Sequence, residues 1–248
     1  MMQELLEQLK LPLIGWVMNN KILILDDEDP IRQFMKINLD YQGYQTVEAS
    51  SGEEALKVFE EEKPAVAILD IMLPGISGYE VCEKIRDMSP MTGIIMVSAK
   101  SQDIDKILGL EKGADDYIIK PFNPQELILR VKSLMRRVNL NPSNQKNTET
   151  KSLRDGPFTL DIYSKTFFKD DKEIDVTPTE FTILEYFIKN KGKAMTRDEI
   201  MKETWGENYS NDTKIVDVNI RRIRAKIEEN PAKPAFIETV WGTGYRWK

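Results

Sequence analysis

The chain has 248 residues, of which 41% are hydrophobic and 31% charged, and its net charge is −6. That is a soluble globular balance with room for two domains of ordinary size. It contains no histidine and a single cysteine, Cys82. Those counts exclude an intrachain disulfide, a Ser–His or Cys–His nucleophile pair and a histidine-ligated zinc site, and they fit a reducing, cytoplasmic setting. No apolar run is long enough to span a bilayer, so no membrane partner is expected.

In chain order, residues 1–20 form an N-terminal extension without the basic start or small-residue cleavage site of a signal peptide. Met18-Asn19-Asn20 would make a natural beginning for the first domain. Lys21–Leu25 (KILIL) is a buried strand that runs into Asp26-Asp27. A helix is predicted over Pro30–Tyr41, a weak strand over Gln45–Glu48, and a helix over Gly52–Glu62 that Pro64 ends. Ala65–Leu69 (AVAIL) is a continuous apolar strand, Gly78–Met88 a helix, and Gly93–Val97 another buried strand. Ile104–Lys112 is helical and stops at Gly113; Tyr117–Ile119 is a short strand, and Pro124–Arg137 a helix with proline at its start. Strands alternating with helices in this way predict a doubly wound five-stranded parallel sheet over 21–137, covered on both faces.

Residues 138–156 are polar and rich in Asn, Ser and Thr, which predicts a linker. Residues 157–248 begin with strand-like pieces at Phe158–Ile162, Lys165–Lys169 and Glu173–Val176. Thr177-Pro178-Thr179-Glu180 starts a helix, a second runs from Arg197 to about Thr204, and a third from about Thr213 to Glu228. Phe236–Trp247 is a strand–turn–strand with Gly242 and Gly244 at the bend. Strands, three helices and a terminal hairpin predict an α+β winged helix-turn-helix domain. This part holds 16 basic and 16 acidic residues, so the segment before it carries the whole net charge.

In a doubly wound sheet the site lies beyond the carboxyl ends of the strands. Asp26 and Asp27 end the first strand, Asp70 the third and Ser98 the fourth, and Lys120 follows the fifth. Singly, each is an ordinary turn residue. Together they form a carboxylate cluster that is expensive to keep ionised and that a hard divalent cation such as Mg2+ would relieve. Asp70 then reads as a nucleophile toward a phosphoryl group, with the metal and Lys120 neutralising charge and Ser98 donating a hydrogen bond.

Residues 21–137 resemble a receiver domain throughout, in ILDDE, LDIMLPGISGYEVC, IIMVSAK, GADDYIIKPFNPQEL and RVKSLMRR. The resemblance implies that Asp70 is the phosphoacceptor. It implies that Asp27, Asp70 and the Met72 carbonyl bind Mg2+ directly, while Asp26 acts through metal-bound water. Ser98 and Tyr117 occupy the hydroxyl and aromatic switch positions, with Tyr117 expected to rotate inward. Lys100 and Met72 lie where phosphoryl lifetime would be tuned. With no histidine in the chain, the phosphohistidine donor must be a separate sensor histidine kinase.

The stretch from Ile104 to Arg137 carries many charges, which alone reads as a solvated face. Regulators of the OmpR/PhoB type, which the chain resembles, dimerise through this face. Lys106–Glu126, Asp116–Arg130 and Asp115–Arg137 then look like intersubunit pairs of a homodimer favoured by phosphorylation.

The third C-terminal helix places Lys214, Arg221, Arg222, Arg224 and Lys226 against one acid, Asp217, a local charge that suits a DNA major groove. VTPTEFTILEYF, TRDEIMKETWG, TKIVDVNIRRIRAKI and FIETVWGTGYRW resemble the OmpR/PhoB winged-helix domain throughout. By that resemblance Lys214, Asn219, Arg221, Arg222 and Arg224 face double-stranded promoter DNA, and Trp205, Thr239, Thr243 and Tyr245 lie near backbone or wing contacts. Trp241 stands where an arginine often enters the minor groove; packing ranks slightly above stacking on sugar for it. The implied function is a transcriptional regulator of a two-component system, not an enzyme, with RNA polymerase as a further partner to consider. Two alternatives stay open. A phosphorylation-independent regulator with a vestigial receiver conflicts with the intact Asp27/Asp70/Ser98/Lys120 set. A flavodoxin-like enzyme lacks support because no GxGxxG follows the first strand.

Overall fold

The computed structural model describes residues 19–99, 103–139, 152–207, 209 and 213–248. The expectations for residues 1–18, for Lys100 and for most of the linker lie outside the described residues. The first domain runs β1 (Lys21–Leu25), α1 (Asp29–Tyr41), β2 (Gln45–Ala49), α2 (Gly52–Glu62), β3 (Val66–Asp70), α3 (Gly78–Met88), β4 (Gly93–Ser98), α4 (Asp103–Glu111), β5 (Asp116–Ile119) and α5 (Pro124–Asn139). All neighbours in the sheet are parallel and the order is β2-β1-β3-β4-β5. Alternation along each strand sorts the core into two layers. Leu23, Leu25, Leu69 and Met96 pack with Phe59, Val81 and Ile85 of α2 and α3, whereas Ile22, Ile24, Ile68 and Val97 pack with Met35, Leu39, Val131 and Leu134 of α1 and α5.

The strand order reverses between β1 and β3, so the carboxyl ends of these two strands flank the crevice at the switch point. Gly78 fixes one wall of it. A Cβ there would lie 2.0 Å from the Asp70 carbonyl oxygen, so only glycine lets α3 begin this close to the end of β3. Ser77 and Glu80 then close a reciprocal capping box on the first turn of that helix.

The second domain starts earlier than its sequence suggests. β6 (Ser152–Asp155) pairs antiparallel with β7 (Phe158–Asp161), followed by β8 (Thr166–Lys169) and β9 (Lys172–Glu173), in a four-stranded sheet. The linker expectation over 138–156 is therefore corrected at both ends. α5 continues to Asn139, and the polar SLRD segment is an edge strand that takes its order from backbone pairing rather than from apolar alternation. The strand expected over 173–176 is limited to Lys172–Glu173.

α6 (Pro178–Lys189), β10 (Met195–Thr196), α7 (Arg197–Trp205), α8 (Lys214–Ile227), β11 (Ile237–Val240) and β12 (Gly244–Trp247) complete the domain, with β10-β12-β11 as a second small sheet. Thr177/Glu180 and Thr196/Glu199 form capping boxes at the starts of α6 and α7. The core gathers Phe158, Phe167, Phe181, Phe187, Ile223 and Trp247, and Leu110 of α4 joins it from the first domain. The two domains thus pack on each other along α4, β5 and α5.

Candidate functional site

Asp26 and Asp70 are buried at the ends of β1 and β3, and Asp27 beside them is exposed. One carboxylate oxygen from each lies within 4.8 Å of the others. Lys120 reaches across from the end of β5, its Nζ 2.8 Å from Asp26 Oδ2 and 2.8 Å from Asp70 Oδ2, with Glu28 Oε1 at 3.6 Å. The Met72 backbone N–H donates to Asp70 Oδ1 at 3.3 Å, so the Met72 backbone sits directly over the pocket while its side chain is exposed. Burial pushes the Asp26 carboxyl above its ordinary value, against the pull of Lys120. Burial opposes the Lys120 ammonium, but Asp26 and Asp70 outweigh it and raise its pKa. Three carboxylates against one ammonium leave an excess of negative charge in a half-closed cleft. An all-oxygen donor set of this kind fits a small hard cation.

Ser98 is fully buried at the end of β4, and Tyr117 on β5 is 3% exposed. The two side chains are hydrogen-bonded, and burial raises the tyrosine pKa. Tyr117 is therefore already turned inward here.

Four of the charged residues expected at a homodimer face are buried within the chain. Asp115 and Asp116 are fully buried, and Arg130 and Arg137 are 8% and 1% exposed. Arg130 Nη1 donates to Asp116 Oδ1 at 2.9 Å, so that expected pair forms within one chain. Glu126 binds Arg130 at 2.6 Å, one turn away. Asp115 is gripped by Arg86 and accepts the Ile94 N–H at 2.9 Å and the Thr179 N–H at 3.1 Å. Arg137 donates to Thr179 Oγ1 at 2.6 Å. Burial alone would raise the Asp115 carboxyl, but Arg86 and Arg137 outweigh it and hold it below the ordinary value.

The partners come from the second domain. Trp205 Nε1 donates to the Asp115 carbonyl at 3.3 Å, Ser133 Oγ to the Trp205 carbonyl at 2.7 Å, and Tyr209 Oη to Asp116 Oδ1 at 2.6 Å. The Arg130 guanidinium lies 4.8 Å above the Tyr209 ring and that of Arg137 5.5 Å from the Trp205 ring. Sequence reasoning missed Thr179, Tyr209 and Arg86. Each acts through polar contacts to residues far away in the chain, and none follows a periodic pattern.

The residues expected to face DNA divide into three groups. Lys214, Arg221, Trp241 and Thr243 are exposed. Trp241 is 91% exposed at the tip of the β11–β12 hairpin, which overturns the preference for packing: no core reaches that turn. Arg224 and the wing residues hold each other: Arg224 donates to the Ile237 carbonyl and to Thr239 Oγ1, and Tyr245 donates to Asp217 at 2.7 Å. Arg222 and Asn219 are turned away from solvent. Arg222 binds Glu180 at 2.9 Å and donates to the Leu110 and Ala114 carbonyls across the domain boundary. Asn219 is fully buried; its amide donates to Ile215 of its own helix, and its Oδ1 has no partner. Helical charge signals which helix is basic, but it does not say which of its sides the second domain leaves open.

Among the described residues no helix is long and apolar enough to cross a membrane. Residues 22–132 match the model of the response regulator receiver domain, and residues 171–247 match that of the transcriptional regulatory protein C-terminal domain. The chain is 44% identical over 234 residues to the alkaline phosphatase synthesis transcriptional regulatory protein PhoP of Bacillus subtilis, covering 92% of this chain and 97% of that protein. It is 42% identical to the probable transcriptional regulator ycf27 of Cyanidium caldarium, over 90% of this chain and 92% of that one. A solved structure of a RitR mutant shares the fold, with a TM-score of 0.72 at 22% identity over 92% of this chain and 98% of that one. Two domains of these families in this order, and a full-length relative at this identity, settle the assignment: the chain belongs to the OmpR/PhoB-type response regulators, phosphorylation-dependent transcription regulators that take their signal from a histidine kinase and act on DNA.

Proposed function

We propose that Asp70 is the residue that accepts the phosphoryl group from the partner kinase. The observation that carries this is the position of Lys120 Nζ, 2.8 Å from both Asp26 and Asp70 at the carboxyl ends of the β1 and β3 strands. Asp70 attacks phosphorus through a carboxylate oxygen as the bond from phosphorus to the donor nitrogen breaks, giving an acyl phosphate. Lys120 then offsets charge on the transferred oxygens, and Ser98 supplies a hydroxyl to one of them as Tyr117 fills the space behind it. Asp27, Asp70 and the Met72 carbonyl would hold Mg2+, with Asp26 acting through its water; the metal supplies charge neutralisation to the phosphoryl oxygens.

The output in this reading is promoter binding by a phosphorylated homodimer in the cytoplasm, with RNA polymerase as a further partner. Lys106, Asp115, Asp116, Glu126, Arg130 and Arg137 form the dimer face. Lys214, Arg221, Trp241 and Thr243, exposed on α8 and the wing, meet the duplex; Arg222, Asn219 and Arg224 join them once uncovered, and Thr239 and Tyr245 support the wing. Labelling with radioactive acetyl phosphate tests the acceptor. Incorporation is expected in the wild type with Mg2+, not in EDTA, and not in Asp70→Ala. Undiminished labelling of Asp70→Ala would assign the phosphoryl group elsewhere.

A further inference from the structure

α8 carries basic side chains and two carboxylates, and both carboxylates are bonded to the wing. Asp217 lies in the first turn of the helix and Glu228 caps its end. An acid beside DNA repels phosphate, and an acid at a helix C-terminus opposes the helix dipole. Neither place favours a carboxylate for its own sake, so the partners must account for them. Glu228 is 7% exposed. Its Oε2 accepts the Ala235 N–H at 2.7 Å, and its Oε1 accepts the Phe236 and Ile237 N–H groups at 2.9 Å each. Three successive amides thus close on one carboxylate at the base of β11, in charge-assisted bonds. At the other end, Asp217 Oδ1 accepts the Tyr245 hydroxyl at 2.7 Å, near the start of β12, and Arg197 Nε donates to the same oxygen at 2.7 Å. Between the two acids, Arg224 donates to the Ile237 carbonyl at 2.9 Å and to Thr239 Oγ1 at 3.0 Å.

β11 is an edge strand of the β10-β12-β11 sheet, so among the described strands none pairs with its outer side. α8 takes that place: Ile237 gives its N–H to Glu228 and its carbonyl to Arg224. We propose that Asp217 and Glu228 are positioning residues that mount the wing on α8 at two points and so set where the wing tip meets the duplex. The proposal rests on the function proposed above, in which α8 and Trp241 meet DNA. Two points fix a direction where one would leave the hairpin free to swing. The two acids stand about 16 Å apart along the helix, at its rise per residue. Asp217 holds the side near the tip and Glu228 holds the base, so the tip lies toward the start of α8, the end that carries Lys214. Trp241 lies about 13 Å beyond Ile237 at a strand's rise, so an error in direction at the base is carried to the tip. A minor groove about 6 Å wide tolerates little such error. Neither carboxylate needs to touch DNA; each acts through the position of the wing.

Asp217→Ala and Glu228→Gln, made separately in the full-length chain and phosphorylated by acetyl phosphate with Mg2+, separate positioning from charge. If charge alone acted, removing an acid from a helix beside phosphate would tighten binding. Positioning predicts the opposite sign. The probe is a random-sequence duplex of about 30 base pairs, about three helical turns, read by fluorescence anisotropy. Each variant is expected to bind it about threefold to tenfold more weakly than the wild type, the range set by one lost hydrogen bond. A second readout follows the wing without DNA. Nitroxide labels at Lys214→Cys and Thr243→Cys, with the buried Cys82 left in place, give the distance from the start of α8 to the wing tip by pulsed electron resonance. That distance distribution is expected to broaden or shift in both variants. Tighter or unchanged DNA binding in either folded variant would overturn the proposal, as would weaker binding with the distance distribution unchanged. Failure of the phosphorylated wild type to bind any duplex would instead overturn the proposed function. Unfolding of Glu228→Gln, seen by circular dichroism, leaves the decision with Asp217→Ala, whose side chain is 41% exposed.

Discussion

The receiver carries two charged clusters a few residues apart along its last strand, and they are built in opposite ways. At the mouth of the sheet, Asp26, Asp27 and Asp70 face a single ammonium, and one of the three carboxylates stays in water. On the α4–β5–α5 face, Asp115 and Asp116 meet Arg86, Arg130 and Arg137, and every member is buried or nearly so. The first cluster is short of positive charge and is completed by something from outside: a cation, a phosphoryl group. The second is balanced within the chain and holds two domains together. Surplus charge marks a place for chemistry, and matched charge marks a joint.

Substitutions can separate the two. The largest effect is expected from Asp115→Ala, which leaves Arg86 and Arg137 without their shared buried carboxylate. A loss of about 3–5 kcal/mol in unfolding free energy by urea titration is the expected scale for an uncompensated buried ion. An effect below about 1 kcal/mol would mean that the joint is not a buried ion cluster at all. Lys120→Met should slow acetyl phosphate labelling of Asp70 by about a hundredfold, the scale of one lost charge-stabilising donor. Labelling at the wild-type rate would remove Lys120 from the pocket's chemistry.

Gly78→Ala probes the scaffold of the pocket. Its Cβ would meet the Asp70 carbonyl, and β3 or α3 must give way. A loss of about 1–3 kcal/mol is expected, with slower labelling, because the displaced atoms belong to the acceptor's own backbone. At the smallest end, Trp241→Ala should change stability by no more than about 0.5 kcal/mol, since the ring is 91% exposed. It should nonetheless weaken DNA binding several-fold. Unchanged binding would make the indole a bystander at the wing tip.

Acid should act on the joint at a predictable place. Asp115 is held below its ordinary value of 3.8 by Arg86 and Arg137, with the Ile94 and Thr179 amides also donating to it, against the opposing effect of burial. A carboxyl depressed in the folded state stabilises above its unfolded pKa and loses that contribution as pH falls through the folded one. Glu180, between Arg222 and Lys226, is depressed from 4.5 in the same sense. Between pH 5 and 8, roughly, neither group should make domain docking pH-dependent; the loss belongs below about pH 4. A strong change in α8 exchange between pH 6 and 7 would contradict this assignment.

The pocket was legible in the sequence because its members sit at strand ends, where topology alone brings them together. Asp26, Asp27, Asp70, Ser98 and Lys120 needed only the strand order to converge. The joint was not legible, because it depends on how two domains rest on each other. Asp115, Asp116, Arg130 and Arg137 read as a surface from their charge, and nothing in the spacing of Thr179 or Tyr209 announces their partners. The burial of Asn219 was hidden for a related reason: in a helix whose buried positions include Ile215, Val216, Val218, Ile220 and Ile223, the outward stripe is narrower than charge counting suggests. The SLRD strand was hidden by its polarity, since an edge strand can be ordered by backbone bonds alone.

The central claim is that the pocket with surplus negative charge takes up the phosphoryl group, and does so through Asp70. Borohydride reduction of the full-length chain after treatment with acetyl phosphate and Mg2+, followed by peptide mapping, measures it directly. Conversion of Asp70 to homoserine, with the other pocket carboxylates unchanged, is the expected result. Phosphorylation with Asp70 unmodified and another carboxylate converted would contradict it.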